Sequence, residues 1–429
     1  MSSRILYSNF LFSNSMRKIV FEKGYLVYKE GISLGIFQSL GEIPFECKEY
    51  EVIDHSNDLM IPGFVDLHLH APQYRMLGTG MDEKLIEWLN RYTFVEEAKF
   101  CDTIYAKEVY AEFVKELRGG FTTRACVFGT IHRDANKVLM DLLEESGLVT
   151  MVGKVNMDRN APENLCEETA ESIGETIEWI EESIKSYVNT LPILTPRFIP
   201  SCSDYLMYEL GMLKKKYQIP LQSHLSENKE EINWVLELCK PVESYTKAYE
   251  ERGCFDGNSK TIMAHCVYLS EDEQKILKEK QVFLAHCPDS NLNLSSGIAP
   301  ISRCIEQELK IGLASDIAGG STLNLLQVMR CAIQSSKMIQ VYLDSSSKAL
   351  TLDDVFYLAT RGGGEFFGMV GSFEKGYEVD AVVVRLGDWE NQFDKSSLRT
   401  YYIQALEKLM YLGSEQNVVA KYIRGKKIF

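Results

Sequence analysis

The first 63 residues alternate polar and apolar positions, as in RKIVFEKGYLVYKEG, with Gly24 and Gly31 as punctuation. A period of two predicts short antiparallel strands, and no helical period is present there. From residue 64 the pattern changes to eight apolar runs: FVDLHLH, FTTRACVF, LVTMVGKV, PILTPRF, IPLQSH, TIMAHC, VFLAHC and IGLASD. Between them lie polar or amphipathic segments such as residues 167–187 and 204–217, where apolar side chains return at helical spacing. Strand–helix alternation repeated eight times predicts an α/β fold, a (β/α)8 TIM-type barrel over residues 64–370. After Met369 two further strand-like stretches, GSFEKGYEVDAVVVRL and VAKYIRGKKIF, resemble the N-terminal pattern. Neither terminal segment has enough apolar residues for its own core. Residues 1–63 and 371–429 are therefore expected to combine as a small composite β-sandwich beside the barrel.

Composition narrows the function. The 429 residues are 45% hydrophobic and 25% charged, as in an ordinary globular protein, which excludes disordered, collagen-like and coiled-coil readings. A net charge of −15 offers no global attraction to nucleic-acid polymers or anionic lipid. No apolar run reaches the roughly 18 residues needed to span a bilayer, and the start MSSRILYSNFLFSN does not read as a signal peptide. The 11 cysteines are odd in number and never spaced C-x-x-C, so a cytoplasmic protein with reduced thiols is expected.

There are seven histidines, and His68, His70, His224, His265 and His286 fall at the ends of predicted strands, where barrels carry their chemistry. His68 and His70 are two apart, so both point to one face of their strand and supply half of a metal site. The plain alternative for such a pair is hydrogen bonding inside the core. His224 ends IPLQSH, and Glu227 follows three residues later, where a carboxylate can reach a catalytic water without binding the metal. Asp316 ends IGLASD, and a carboxylate there is costly to bury without a cation or hydrogen bonds. The set His68, His70, His224 and Asp316 offers only nitrogen and oxygen ligands, which suits one Zn²⁺ per chain, although Fe²⁺ fits the same ligand types. His265 is either a further ligand or a group that hydrogen-bonds the catalytic water, and the second reading is adopted. His286 is expected to line the pocket or orient a neighbour, His55 to lie on the surface, and His132 has no assigned role.

The stretch PGFVDLHLH at residues 62–70, followed in order by SHLSEN, AHCVYLS, AHCPDSN and ASDIAGG, resembles the deaminase and chlorohydrolase branch of the amidohydrolase superfamily. APQYRMLGTG, LIEWLNRYTFVEEAKF, FGTIH, VGKVNMD, TPRFIPSCS and LNLSSG extend the resemblance over nearly the whole chain, from about Tyr7 onward, and direct it to members acting on guanine. The resemblance implies hydrolysis of guanine to xanthine and ammonia, in a homodimer. It also implies a zinc ion held by His68, His70, His224 and Asp316, with Glu227 shuttling protons. The catalytic group is then Glu227, Asp316 and His265. Gln73, Arg197 and Phe198 bind the base, and His70, His224, Glu227 and Asp316 face it. Arg is the commonest partner of the O6 and N7 edge of guanine, whereas an arbitrary Arg is more often a salt bridge on the rim. Trp88 is a further candidate for apolar or stacking contact. Three positions depart from the family pattern: Pro72, Asp289 and Ser315. Two rival readings remain at this stage. One is a member of the same branch acting on an adenosine-type nucleoside, cytosine or a triazine ring; the other is a catalytically silent scaffold of the same fold.

Overall fold

The N-terminal alternation forms strands β1 (Arg4–Ser13), β2 (Ile19–Lys29), β3 (Ile32–Phe37) and β4 (Val52–Pro62) in the computed structural model, which describes residues 3–429. β1 pairs antiparallel with β2 and parallel with β4. Its alternation separates two cores: Leu6, Phe10 and Phe12 join Tyr28, Phe373 and Tyr422 in one cluster, while Leu11, Ile19, Leu59 and Ile61 join the main core.

The central region supplies β5 (Phe64–His70), β6 (Thr122–Phe128), β7 (Val149–Gly153), β8 (Val155–Asn156), β9 (Thr190–Pro192) and β10 (Thr195–Pro196). It continues with β11 (Leu221–Leu225), β12 (Thr261–His265), β13 (Phe283–His286) and β14 (Lys310–Leu313). Two parallel four-stranded sheets result, β5-β6-β7-β9 and β11-β12-β13-β14. Backbone hydrogen bonds join them at both edges. At one, Leu194 N donates to Pro220 O and Gln222 N to Leu194 O; at the other, Asp316 N donates to His68 O and His70 N to Ile317 O. Helices such as Thr103–Gly119, Arg133–Ser146, Thr169–Ser186 and Asp204–Tyr217 connect successive strands, so the α/β class follows directly. The run PILTPRF does not make one strand. Pro192 and Pro196 lack the N–H needed for a ladder, and the segment divides into the short β9 and β10.

The C-terminal strands β15 (Ala381–Val384), β16 (Val418–Ile423) and β17 (Lys426–Lys427) return to the N-terminal ones. The sheet order is β17-β16-β15-β4-β1-β2-β3. Strand pairing thus joins the two terminal segments, expected to combine, in one seven-stranded sheet. The helix Leu398–Leu412, which lies between β15 and β16, is absent from the sequence reading. Arg124 on β6 ties this sheet to the parallel strands. Fully buried, it donates to Asp380 at 2.6 Å and to Glu378 at 2.8 Å, and Glu378 also accepts from Arg424 at 2.6 Å. No helix among the described residues is long and apolar enough to cross a membrane.

Candidate active site

The apolar runs bury β5, β11, β12 and β14 in the core and bring their last polar residues to one end. Alternation along β5 aims His68 and His70 to the same side, and their Nε2 atoms lie 3.2 Å apart. His224 Nε2 lies 3.2 Å from that of His70, and Asp316 Oδ1 lies 3.1 Å from His68 Nε2 and 3.5 Å from His70 Nε2. The Phe128 ring packs against His68, His70 and His224 with centroids 4.6–4.9 Å away, closing the cluster from below.

A hydrogen bond sets the tautomer of His224. His224 Nδ1 donates to the Arg197 carbonyl at 2.6 Å, which leaves its Nε2 unprotonated and aimed at the other imidazoles. Burial, with the neighbouring imidazoles adding to it, pushes the pKa values of His70 and His224 well below the ordinary histidine value. Burial alone would raise Asp316, but His68 and His265 outweigh it and hold the carboxylate ionised. Neutral imidazoles and an ionised carboxylate are the states that bind a metal. Donor atoms about 3.3 Å apart are what two ligands about 2.0–2.1 Å from one ion span at a tetrahedral angle. Lone pairs converging in a buried space therefore fit a cation, which the donor groups His68, His70 and Asp316 or His68, His224 and His265 could hold.

His265 stands between two acids. Its Nε2 lies 3.4 Å from Glu227 and 3.7 Å from Asp316, and its Nδ1 donates to Asn291 Oδ1 at 2.9 Å. Burial pushes its pKa down, yet the two carboxylates prevail and raise it. Burial pushes Glu227 up to about 7, while Ser296, donating to Glu227 Oε1 at 2.9 Å, favours the carboxylate. His265 and Asp316 adopt left-handed φ values of 72° and 48°. Such backbone costs about 1–3 kcal/mol outside glycine and is retained where the surroundings over-determine it.

A cavity opens above these side chains. Gln73, Trp88, Arg197 and Phe198 face it, together with His70, His224, Glu227, His265 and Asp316. Trp88 keeps its Nε1–H on Thr79 O at 3.0 Å, so the rest of the indole is free to serve as apolar wall. Other expected positions lie elsewhere. His286 is buried outside the cavity lining, and burial lowers its pKa to about 3. His132 precedes the helix Arg133–Ser146 and stays out of the cluster. His55, expected on the surface, is half-buried and shares a 2.9 Å hydrogen bond with the Tyr422 hydroxyl. Asp289 accepts from the Ser321 backbone and hydroxyl, both at 2.7 Å, and Pro72 starts the turn Ala71–Met76. Ser315 donates to Asp66, a buried carboxyl that burial pushes up to about 7 and that also accepts from His68 N.

Five polar residues of this region escape the sequence reading: Asp66, Glu97, Glu231, Asn291 and Ser296. Glu231 lines the cavity and accepts from the Glu227 backbone at 2.9 Å, and the other four contact residues that were identified; none of the five has a metal-ligand spacing that would mark it.

The profile of the Amidohydrolase family matches residues 59–428. The chain belongs to the amidohydrolase family. Among its curated amidohydrolase relatives, guanine deaminase of Dictyostelium discoideum is 40% identical over 385 residues, covering 89% of this chain and 85% of that protein. Guanine deaminase of Escherichia coli is 35% identical over 382 residues, covering 88% and 84%. A crystal structure of guanine deaminase from C. acetobutylicum, with guanine bound in its active site, superposes with a TM-score of 0.94 at 40% identity and covers 100% of both chains.

Proposed function

We propose that this amidohydrolase is a guanine deaminase, hydrolysing guanine to xanthine and ammonia. The observation that carries this reading is the whole-chain likeness to the guanine-bound C. acetobutylicum enzyme. It is supported by a pocket lined by Arg197 and Gln73, both hydrogen-bond donors, together with the acid and base groups Glu227, His265 and Asp316. All five metal and acid/base positions converge, which argues against a silent scaffold.

The ligands read here are His68, His70, His224 and Asp316, and the ion is one Zn²⁺ per chain. An ion held there would supply a hydroxide nucleophile at neutral pH, since zinc lowers the pKa of water from about 15.7 to about 7. Glu227 takes the proton of the attacking water and delivers it to a ring nitrogen next to C2, while the water oxygen bonds to C2. His265 and Asp316 hold the water by hydrogen bonds as charge develops. A second proton passes to the exocyclic amine, the C2–N bond breaks, and ammonia leaves with xanthine remaining. Arg197 and Gln73 present donors to the acceptor edge of the base, and Phe198 and Trp88 give its faces apolar contact.

The eight parallel strand segments are read as a (β/α)8 barrel over residues 64–370, carried beside a unit of residues 1–63 and 371–429. A cytoplasmic homodimer is proposed with it, the compartment resting on eleven unpaired cysteines and the assembly on the family resemblance. The direct test is incubation of the metal-loaded protein with guanine. Xanthine and ammonia in equal amounts are expected; no xanthine from protein with a filled site overturns the substrate.

A further inference from the structure

Glu97 lies in the segment TFVEEAKF, outside every motif assigned to the metal or the acid/base group. It does not face the cavity, yet it contacts two residues that do. Gln73 Nε2 donates to its Oε1 at 2.8 Å, and Arg197 Nη1 donates to its Oε2 at 2.5 Å. The side chains of Arg197 and Glu97 are 4% and 3% exposed, so water does not compete for this pair. On the other side, Gln73 Oε1 accepts from the backbone of Ala318 at 3.0 Å. The Phe94 ring lies under the guanidinium, 5.2 Å away.

These bonds fix an orientation. The Ala318 N–H can only donate, so Gln73 must turn its oxygen there and its amide nitrogen towards Glu97. Glu97 therefore faces two donors at once, and only a group with two acceptor oxygens satisfies both. Its carboxylate also offsets a buried guanidinium that would otherwise be costly to desolvate. What remains for the cavity is the second N–H of Gln73 and the rest of the Arg197 fork.

We propose that Glu97 is a positioning residue that sets specificity for a purine carrying a carbonyl, by locking Gln73 and Arg197 as a matched pair of donors. The inference rests on guanine being the substrate and adds a residue behind the pocket that reads its carbonyl edge. Glutamine at position 97 supplies one acceptor and one donor, so a donor–donor clash must displace Gln73 or Arg197. Aspartate keeps both acceptors with a shorter reach.

The test is steady-state kinetics of the metal-loaded wild type, Glu97→Gln, Glu97→Asp and Arg197→Ala on guanine and on 2-aminopurine, which has the same C2 amine and no carbonyl. If 2-aminopurine is not turned over, its inhibition constant against guanine is read instead. In Glu97→Gln the KM for guanine is expected to rise about tenfold, equivalent to about 1.4 kcal/mol. Its kcat should change much less, and the preference for guanine over 2-aminopurine should fall about tenfold, with part of it recovered in Glu97→Asp. A merely structural role would weaken both substrates alike. An unchanged preference in Glu97→Gln overturns the proposal, and should that variant not fold, an unchanged preference in Glu97→Ala, which removes both acceptors, does so. The underlying reading fails separately, when the wild type does not use guanine or when Arg197→Ala handles it as well as the wild type.

Discussion

Ser296 donates its hydroxyl proton to Oε1 of Glu227 over 2.9 Å, with both residues buried. The other oxygen, Oε2, is left facing His265. Burial pushes the Glu227 carboxyl up to about 7, and only its ionised form can take a proton from water. The acid limb of kcat/KM should accordingly fall as pH drops through about 7. Ser296→Ala removes a bond that favours the carboxylate, so the pKa rises and the limb moves to higher pH. A shift of about one to two units is expected, since a hydrogen bond to a charged group contributes about 1.5–3 kcal/mol. A pH profile of the two proteins checks it, and an unmoved limb contradicts the role of Glu227.

Glu227→Gln keeps the size of the side chain and removes the base. Because Glu227 is not among the expected ligands, metal content by elemental analysis should be unchanged, while kcat falls about 10²–10⁴-fold. Undiminished turnover would remove the proton shuttle from the account.

Arg197→Ala deletes the guanidinium but not the backbone carbonyl that orients His224. Metal should stay bound, and kcat/KM for guanine should drop about 10-fold to 10³-fold. Loss of metal instead would mean that the side chain supports the cluster and does not read the base.

Stability is tested away from the cavity. Asp380→Ala leaves the buried Arg124 with Glu378 as its remaining acid. Breaking a buried pair from one side costs about 3–5 kcal/mol, so a lower urea midpoint is expected with kcat retained. An unchanged midpoint would show that the link between β6 and the terminal sheet adds nothing.

Much of this architecture is legible in the residue pattern because buried strands and their polar ends obey one rule. FVDLHLH, TIMAHC and VFLAHC are apolar runs with histidine last or next to last, and they form β5, β12 and β13 nearly as written. PILTPRF reads equally apolar, but its prolines break the ladder, a backbone effect that hydrophobicity does not report. The helix Leu398–Leu412 buries Tyr402, Ala405, Leu406, Leu409 and Met410 at helical spacing. That signal was present and lay between two stretches that read as strand. Glu97, Asn291 and Ser296 belong to a different class. They lie on connecting segments and meet their partners from 24 to 100 residues away in sequence, so only folding reveals what they touch. His55 shows the converse: flanked by Asp54 and Ser56 it reads as solvated, yet β16 brings Tyr422 to it.

The measurement that bears most directly on the central claim is ammonia release by purified, metal-analysed protein. Guanine, adenine, adenosine, cytosine and a chlorotriazine would be given to the loaded protein, to a metal-stripped sample and to one reloaded with zinc. Release from guanine alone, lost on stripping and restored by zinc, is the predicted result. Guanine left unchanged by zinc-loaded protein, with another member of the panel consumed, would contradict the substrate assignment.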